Sequence, residues 1–299
     1  MAATSALLHN SRRLFELLRE RPHYVFGRFA MARDAYSGLR SARDLVGGGQ
    51  PMRIGDLYQP TIADVAVAPS GMLVDGKSSR EQVAEMRAQS YSLGPSLTPA
   101  AVATLVSEAR ARPLYAQGAA TTCGILGTLT AEQRNQFAFA SVGDASSIPA
   151  IRALAGDPAL HDAARIFLRY RPREVSIWLF WSFANHLSAE HRRSVYQTID
   201  YHYDVDGMNF MYANFYLLDT TRMNGAHAII AGSHRRKGLR QLIGVARIGD
   251  DEAKAIYGAD AERVIEGPAG SGFLEDTSCY HKALPPQTGD RLMLQLRYR

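Results

Sequence analysis

Leu14, Leu17 and Leu18 recur at helical spacing behind Ser11, a capping residue, and predict a first helix over about residues 5–20. A second predicted helix covers 28–45 and stops at Gly47-Gly48-Gly49 and Pro51, the clearest break in the chain. Residues 51–97 read as loops, with a short helix from about Arg80 to Gln89 and a strand near Tyr91. Thr98-Pro99 has the cap-then-proline form of a helix start, and Pro113 lies just past the end of that helix. Thr130 and Gln133 have capping-box spacing, while Asp157-Pro158 opens a helix with Leu160, Ala164 and Phe167 on one stripe. From Val175 the period shortens to two. Strands are expected at Ser176–Phe183, Gln197–Asp204, Asn209–Asp219, Ala226–Ala231, Gly272–Leu284 and Arg291–Tyr298. Helices followed by a run of strands indicate an α+β chain, and no internal repeat or low-complexity segment interrupts it.

With 299 residues, 46% of them hydrophobic, the chain can bury a full core, and one domain is expected rather than two. Residues 1–50 read as a helical N-terminal extension packed on a main domain that occupies 51–299. No apolar run approaches the roughly 18 residues of a membrane span. Cys123 and Cys279 make no disulfide framework and suit a reducing, cytoplasmic setting. The net charge of +5 is concentrated at the start of the chain: Met1–Arg43 holds eight arginines against Glu16, Glu20 and Asp34, an excess of five. The rest is close to neutral, so no basic groove for nucleic acid is implied over the strand region. An Arg-rich, acid-poor start also fits a transit peptide, but the leucine spacing favours a structural helix, and no apolar core of a secretory signal is present.

The chemistry lies in His202-Tyr203-Asp204, followed seventy-nine residues later by His281 and ten residues further by Arg291. Alternate side chains of a strand share a face, so His202 and Asp204 can grip one ion, with His281 arriving from another strand. Two imidazoles and a carboxylate on one face of an octahedral metal leave the opposite positions open for ligands. Asp206 shares the parity of Asp204, but Gly207 marks the end of the strand there, which favours Asp204. Arg291 opens the last strand and offers a bidentate fork to a dicarboxylate. Arg297 has the same parity but lies about 20 Å further along an extended strand and is placed beyond that pocket.

An HxD pair alone is common by chance; the surrounding text is more specific. Tyr201-His-Tyr-Asp-Val-Asp-Gly207, Asn224-Gly-Ala-His227, Gly232-Ser-His-Arg235, Gly267-Pro-Ala-Gly270 and Pro285-Pro-Gln-Thr-Gly-Asp-Arg291, in this order, resemble the phytanoyl-CoA dioxygenase family of Fe(II)- and 2-oxoglutarate-dependent oxygenases. The likeness is strong over about 175–299 and faint upstream, around Leu93-Gly-Pro-Ser-Leu-Thr-Pro-Ala-Ala-Val102. It implies a double-stranded β-helix (a cupin-like jelly roll) with N-terminal and flanking helices. It also implies His202, Asp204 and His281 as iron ligands, Arg291 as partner of the distal carboxylate of 2-oxoglutarate, and oxidation of a small-molecule C–H by O₂ with release of succinate and CO₂. Related halogenases have Gly or Ala where this chain has Asp204, so the carboxylate argues for hydroxylation or another oxidation. Two other readings stand beside this one: a cupin-like metalloenzyme that does not use 2-oxoglutarate, and a non-catalytic jelly-roll binding protein.

Several residues have bland readings next to functional ones. Tyr212, Asn214 and Tyr216 alternate along one face that alignment through Asn224-Gly225 turns inward; Tyr212 and Asn214 are candidate contacts to 2-oxoglutarate or substrate, with buried polar pairing as the alternative for Asn214. His227 and His234 read as turn and strand-end fixtures. Trp178 and Trp181 read as core rather than a substrate platform. Cys279, with the strand parity of His281, reads as a small buried hydrophobe. His186, His191, Arg192 and Arg193 read as a solvated loop before the metal strand, and Arg235-Arg236-Lys237 as a solvated turn.

Overall fold

The computed structural model describes residues 19, 22–45, 61–74, 76–116, 122–195, 197–205 and 207–299. The helix expected at 5–20, the glycine break at 47–51 and Asp206 fall outside or almost wholly outside these residues.

Eight strands, β1 (Glu174–Ser182), β2 (Tyr201–His202), β3 (Met211–Tyr216), β4 (His227–Ile230), β5 (Glu262–Ile265), β6 (Ser271–Glu275), β7 (His281–Ala283) and β8 (Arg291–Tyr298), form a jelly roll. One sheet runs β6-β3-β8-β1, extended beyond β6 by Tyr91–Leu97 and Leu73–Val74, and beyond β1 by Phe139–Val142, Pro113–Ala116 and Gly124–Ile125. The other runs β2-β7-β4-β5, with Arg247–Ile248 added outside β2. All pairings are antiparallel.

The period-two pattern of β8 explains the layering. Leu292, Leu294, Leu296 and Tyr298 join Ile177, Leu179 and Trp181 of β1 in a core completed by Leu105, Leu160, Ala164 and Leu168 of the flanking helices. Met293, on the other face, packs with Phe180, Tyr216, Ile229, Ile265 and Phe273 between the two sheets. The helices therefore cover one face of the larger sheet and leave its other face to line the roll. Burying one Leu or Ile contributes about 1.5–3 kcal/mol, so both faces of β8 are strongly specified, and a one-residue slip would exchange them.

Helix starts follow their local signals. Thr98 accepts from Ala101 N, Thr130 and Gln133 form a capping box, and Asp157 accepts from Ala159 N. The helix expected at 28–45 spans Ala30–Leu45, and the one near 80–89 spans Ser79–Gln89.

Two expected strands are corrected. Gln197–Asp204 contributes only Tyr201–His202 to a ladder, and Asp204 lies just past it. Gly272–Leu284 is not one strand: β6 and β7 belong to opposite sheets, joined by a crossing at 276–280. Asp276 makes that corner, its carboxylate accepting from Ser278 N at 3.0 Å and its carbonyl from Cys279 N at 3.0 Å. A side chain that bonds its own backbone two residues on turns the chain even within an apolar, β-prone text. Cys279 thus sits in a turn, buried, rather than on a strand with His281.

The described part of the N-terminal extension lies against the roll. Arg28 donates to the carbonyls of Leu242 and Gly244 at 3.2 and 2.6 Å, and Asn209 donates to Ser37 Oγ at 2.9 Å. Gly27 permits the approach: a Cβ there would lie 2.6 Å from Gly207 O.

Candidate metal centre

β2 and β7 are neighbours, and His202 and His281 stand directly opposite each other in the ladder. Their rings lie 4.3 Å apart between centroids. Asp204 Oδ1 is 3.6 Å from His202 Nε2 and 3.8 Å from His281 Nε2. The sequence-predicted triad therefore converges, with one ligand atom of each residue within 4.8 Å of the others. Donors about 2.1 Å from one ion and at right angles stand about 3 Å apart, so small inward movements of these groups would close them on a metal.

The backbone aims both imidazoles. His202 Nδ1 lies 3.1 Å from Asp200 O, and His281 Nδ1 lies 3.1 Å from Cys279 O. A proton on each Nδ1 leaves the Nε2 lone pairs facing the gap. Burial lowers the pKa of His202 to about 3 and of His281 to about 4, so both are neutral, the form that ligates. Burial raises the Asp204 carboxyl, opposed by the neighbouring His202. The donor set suits a divalent first-row metal.

These groups form part of the wall of a cavity of about 410 Å³. β8 lines it with Arg291, Met293, Gln295 and Arg297, and β1 with Trp178, Phe180 and Ser182. Arg291 is buried; it donates to Gly225 O and, at 3.0 Å, to Ser182 Oγ, with its guanidinium 5.4 Å from the centre of the Phe180 ring. Its Nε is buried without a hydrogen-bond partner among the described residues, which leaves the group incompletely satisfied. No carboxylate is within ion-pair distance of Arg291 among the described residues, and burial lowers its pKa. An anion placed against it would supply both missing interactions.

Arg297 corrects the sequence reading. It does lie six residues along β8 from Arg291, but it lines the same cavity, donating to Ser176 Oγ at 3.2 Å beside the rings of Phe210 and Tyr212. The two tryptophans divide. Trp181 is in the core behind the sheet, whereas Trp178 lines the cavity, stacked on Phe180 at 4.1 Å and pinned by a 2.8 Å hydrogen bond from Nε1 to Ser141 Oγ. Tyr212 also lines the cavity, while Asn214 lies behind the wall: it accepts from Gln295 Nε2 at 3.0 Å and donates to Glu275 Oε2 at 3.2 Å. Asn214 is thus internally paired.

Glu275 was not anticipated. Fully buried, it lies 3.1 Å from His227 Nε2, 3.8 Å from His281 Nδ1 and 3.7 Å from Cys279 Sγ, and burial raises its pKa to about 7. Its only sequence signal is a carboxylate in an apolar strand, where burial demands partners. His227 is more than a strand-end fixture: its ring stacks on His281 at 5.2 Å and lines the cavity. His234 is a fixture, buried and bonded to Arg87 O at 3.2 Å.

Two polar segments are solvated as expected at His186, His191, Arg193, Arg235 and Arg236, with one exception in each. Arg192 is buried and binds Asn185, Leu187 and Gln197, holding the loop that brings Gln197 and Thr198 to the cavity. Lys237 turns inward over the rings of Tyr203 and Tyr280. Tyr24, from the N-terminal extension, also reaches the cavity wall.

The strand order defines a double-stranded β-helix, with the His202, Asp204 and His281 cluster as a candidate site inside the roll. No protein-family model and no curated protein matches the chain. Solved structures share the fold. EctD from S. alaskensis, with 2-oxoglutarate and 5-hydroxyectoine, aligns with a TM-score of 0.50 at 18% identity over 84% of this chain and 87% of its own. EvdO2 from Micromonospora carbonacea var. aurantiaca, complexed with 2-oxoglutarate, gives 0.50 at 16% identity over 76% and 93%. HygX from Streptomyces hygroscopicus, with nickel, 2-oxoglutarate and hygromycin B bound, gives 0.50 at 15% identity over 73% and 86%.

Proposed function

We propose that the chain is an Fe(II)- and 2-oxoglutarate-dependent dioxygenase that oxidises a C–H bond of a small molecule, with release of succinate and CO₂. The observation that carries this reading is the combination, in one cavity, of two neutral imidazoles and a carboxylate with the incompletely satisfied guanidinium of Arg291. His202, Asp204 and His281 would hold the metal, and Arg291 with Ser182 would hold the distal carboxylate of 2-oxoglutarate. When bound, the metal and cosubstrate together would supply activation of O₂.

The protein's own residues do the rest. Asp200 and Cys279 carbonyls orient the imidazoles, while Phe180 and Met293 exclude water around the cosubstrate arm. Trp178 and Phe139, meeting edge to face at 6.0 Å, offer an apolar wall to a substrate, and Arg247 stands exposed at the cavity rim. That setting fits a small molecule with an apolar body. The fold likeness to structures solved with 2-oxoglutarate supports the cosubstrate assignment. A cupin-like enzyme without 2-oxoglutarate would have no use for a buried cation in this position, and metal content after anaerobic iron loading separates a non-catalytic binding protein.

No described helix is long and apolar enough to cross a membrane, and the two cysteines are unpaired; we place the protein in the cytoplasm. The test is a screen for substrate-stimulated succinate release by Fe(II)-loaded protein against a panel of small metabolites. Stimulated succinate, lost in His202→Ala, supports the reading; a product formed without 2-oxoglutarate overturns it.

A further inference from the structure

Three consecutive carbonyls in the corner between β6 and β7 point to three different partners. Thr277 O accepts from Asp204 N at 2.8 Å, Ser278 O accepts from Lys237 Nζ, and Cys279 O lies 3.1 Å from His281 Nδ1. The outer two hold metal-triad residues; the middle one holds a lysine from a distant turn. That same ammonium lies 4.6 Å from the centre of the Tyr203 ring and 5.7 Å from that of Tyr280. Tyr203 separates His202 from Asp204, and Tyr280 immediately precedes His281. The two rings meet edge to face at 5.3 Å and 82°.

We propose that Lys237 is a positioning residue for the metal centre: it clamps the 277–279 backbone and the two tyrosines that flank the triad, and so fixes Asp204 and His281 relative to His202. This inference rests on the triad being a metal site. The physical argument is geometric. Corner 276–280 lies between strands of opposite sheets, so no ladder fixes the carbonyls of 277–279, and the carbonyls of 277 and 279 are what orient two of the three donors. A cation over two faces and on one carbonyl fixes this segment from outside the sheets. Outer groups that aim ligands are worth about 10–100-fold in metal affinity. Ser233 reinforces the clamp: its carbonyl is 3.4 Å from Lys237 Nζ, and its hydroxyl accepts from Tyr280 N at 2.8 Å. Lys237 lies outside the cavity lining and makes no hydrogen bond to a triad side chain, so its positioning effect passes through these neighbours, while its charge acts on His281 only in opposing a proton there.

The test is Co(II) binding, followed anaerobically by the visible d–d bands, in full-length wild type, Lys237→Met and Lys237→Arg, with thermal melting of each metal-free protein. Methionine keeps the apolar stem and removes the charge and the donors; arginine restores both. The expected result is a Co(II) dissociation constant raised at least tenfold in Lys237→Met, with altered band intensities in protein that still melts cooperatively, and recovery to within threefold in Lys237→Arg. Wild-type affinity and bands in Lys237→Met, even with a lowered melting temperature, would make the lysine purely structural and overturn the proposal. Should Lys237→Met not fold, Lys237→Gln, a shorter neutral donor, carries the same comparison. Wild-type protein that binds no Co(II) would instead overturn the metal reading itself, and this inference with it.

Discussion

Asp204 is the residue on which the metal reading turns, because a carboxylate there completes three protein donors, whereas a small residue would leave two. His202→Ala, Asp204→Ala and His281→Ala are each expected to weaken Fe(II) or Co(II) binding by at least about tenfold, on the order of 1.4 kcal/mol, in protein that keeps its circular dichroism. Metal titration of the three variants decides it, and full affinity in Asp204→Ala would move the carboxylate role to Asp206. Buried histidines away from the triad set a pH dependence. His161, bonded to Ala155 O at 2.9 Å, and His234 both have pKa values lowered chiefly by burial. Below the ordinary histidine value of 6.5 the unfolded chain takes up protons that the folded protein refuses, so stability is present above that pH and falls as pH drops towards the folded values. Metal-free protein should therefore melt lower at pH 5.5 than at pH 7.5, and His161→Gln should reduce that difference; an unchanged difference would locate the proton uptake elsewhere. At this scale His202 and Asp204 were legible because they alternate within one short motif, and His281 and Arg291 because the family resemblance singled them out. Glu275 and Lys237 were not, since what makes them matter is a partner brought in from another strand or turn.

Among elements, helix caps were read correctly at Thr98, Thr130 and Asp157 because a cap depends on three or four adjacent residues. The corner at 276–280 was missed because Thr277 to Tyr280 has the composition of a strand, and it is the bonds that Asp276 accepts from Ser278 N and Cys279 N that reveal the turn. The short helix Asp250–Tyr257 also passed unnoticed, although its first turn holds Asp250, Asp251 and Glu252, the charges a helix N-terminus favours. The N-terminal extension offers a paired test. Gly38 sits on an exposed helix face with nothing within 4 Å of an added Cβ, so Gly38→Ala should stabilise by about 0.5–1 kcal/mol. At Gly27 the added carbon would meet Gly207 O at 2.6 Å and His23 O at 2.8 Å, and Gly27→Ala should destabilise by about 1–3 kcal/mol. Urea denaturation of both variants checks the signs. Stabilisation by Gly27→Ala would mean that the extension does not rest on the loop after Asp204.

For the whole molecule, the two faces of β8 join stability to function: one face is core under the helices, and the other is the polar and apolar lining of the cavity. The α+β class was legible from the change of period at Val175 and the jelly roll from the family resemblance, while the strand pattern alone did not divide the strands between two sheets, because a pairing such as β1 with β8, across more than a hundred residues, leaves no local mark. Arg297 shows the same limit, since strand distance alone did not reveal that one cavity runs the length of β8. The central claim is that this cavity holds a metal-bound dicarboxylate with its far end on Arg291. Anaerobic titration of 2-oxoglutarate into Fe(II)-loaded wild type, Arg291→Ala and Arg297→Ala, followed by the visible metal-to-ligand absorption, tests it most directly. The account predicts the absorption in wild type, a dissociation constant raised at least about tenfold in Arg291→Ala, and little change in Arg297→Ala. No absorption in wild type, or a larger loss in Arg297→Ala than in Arg291→Ala, would contradict it.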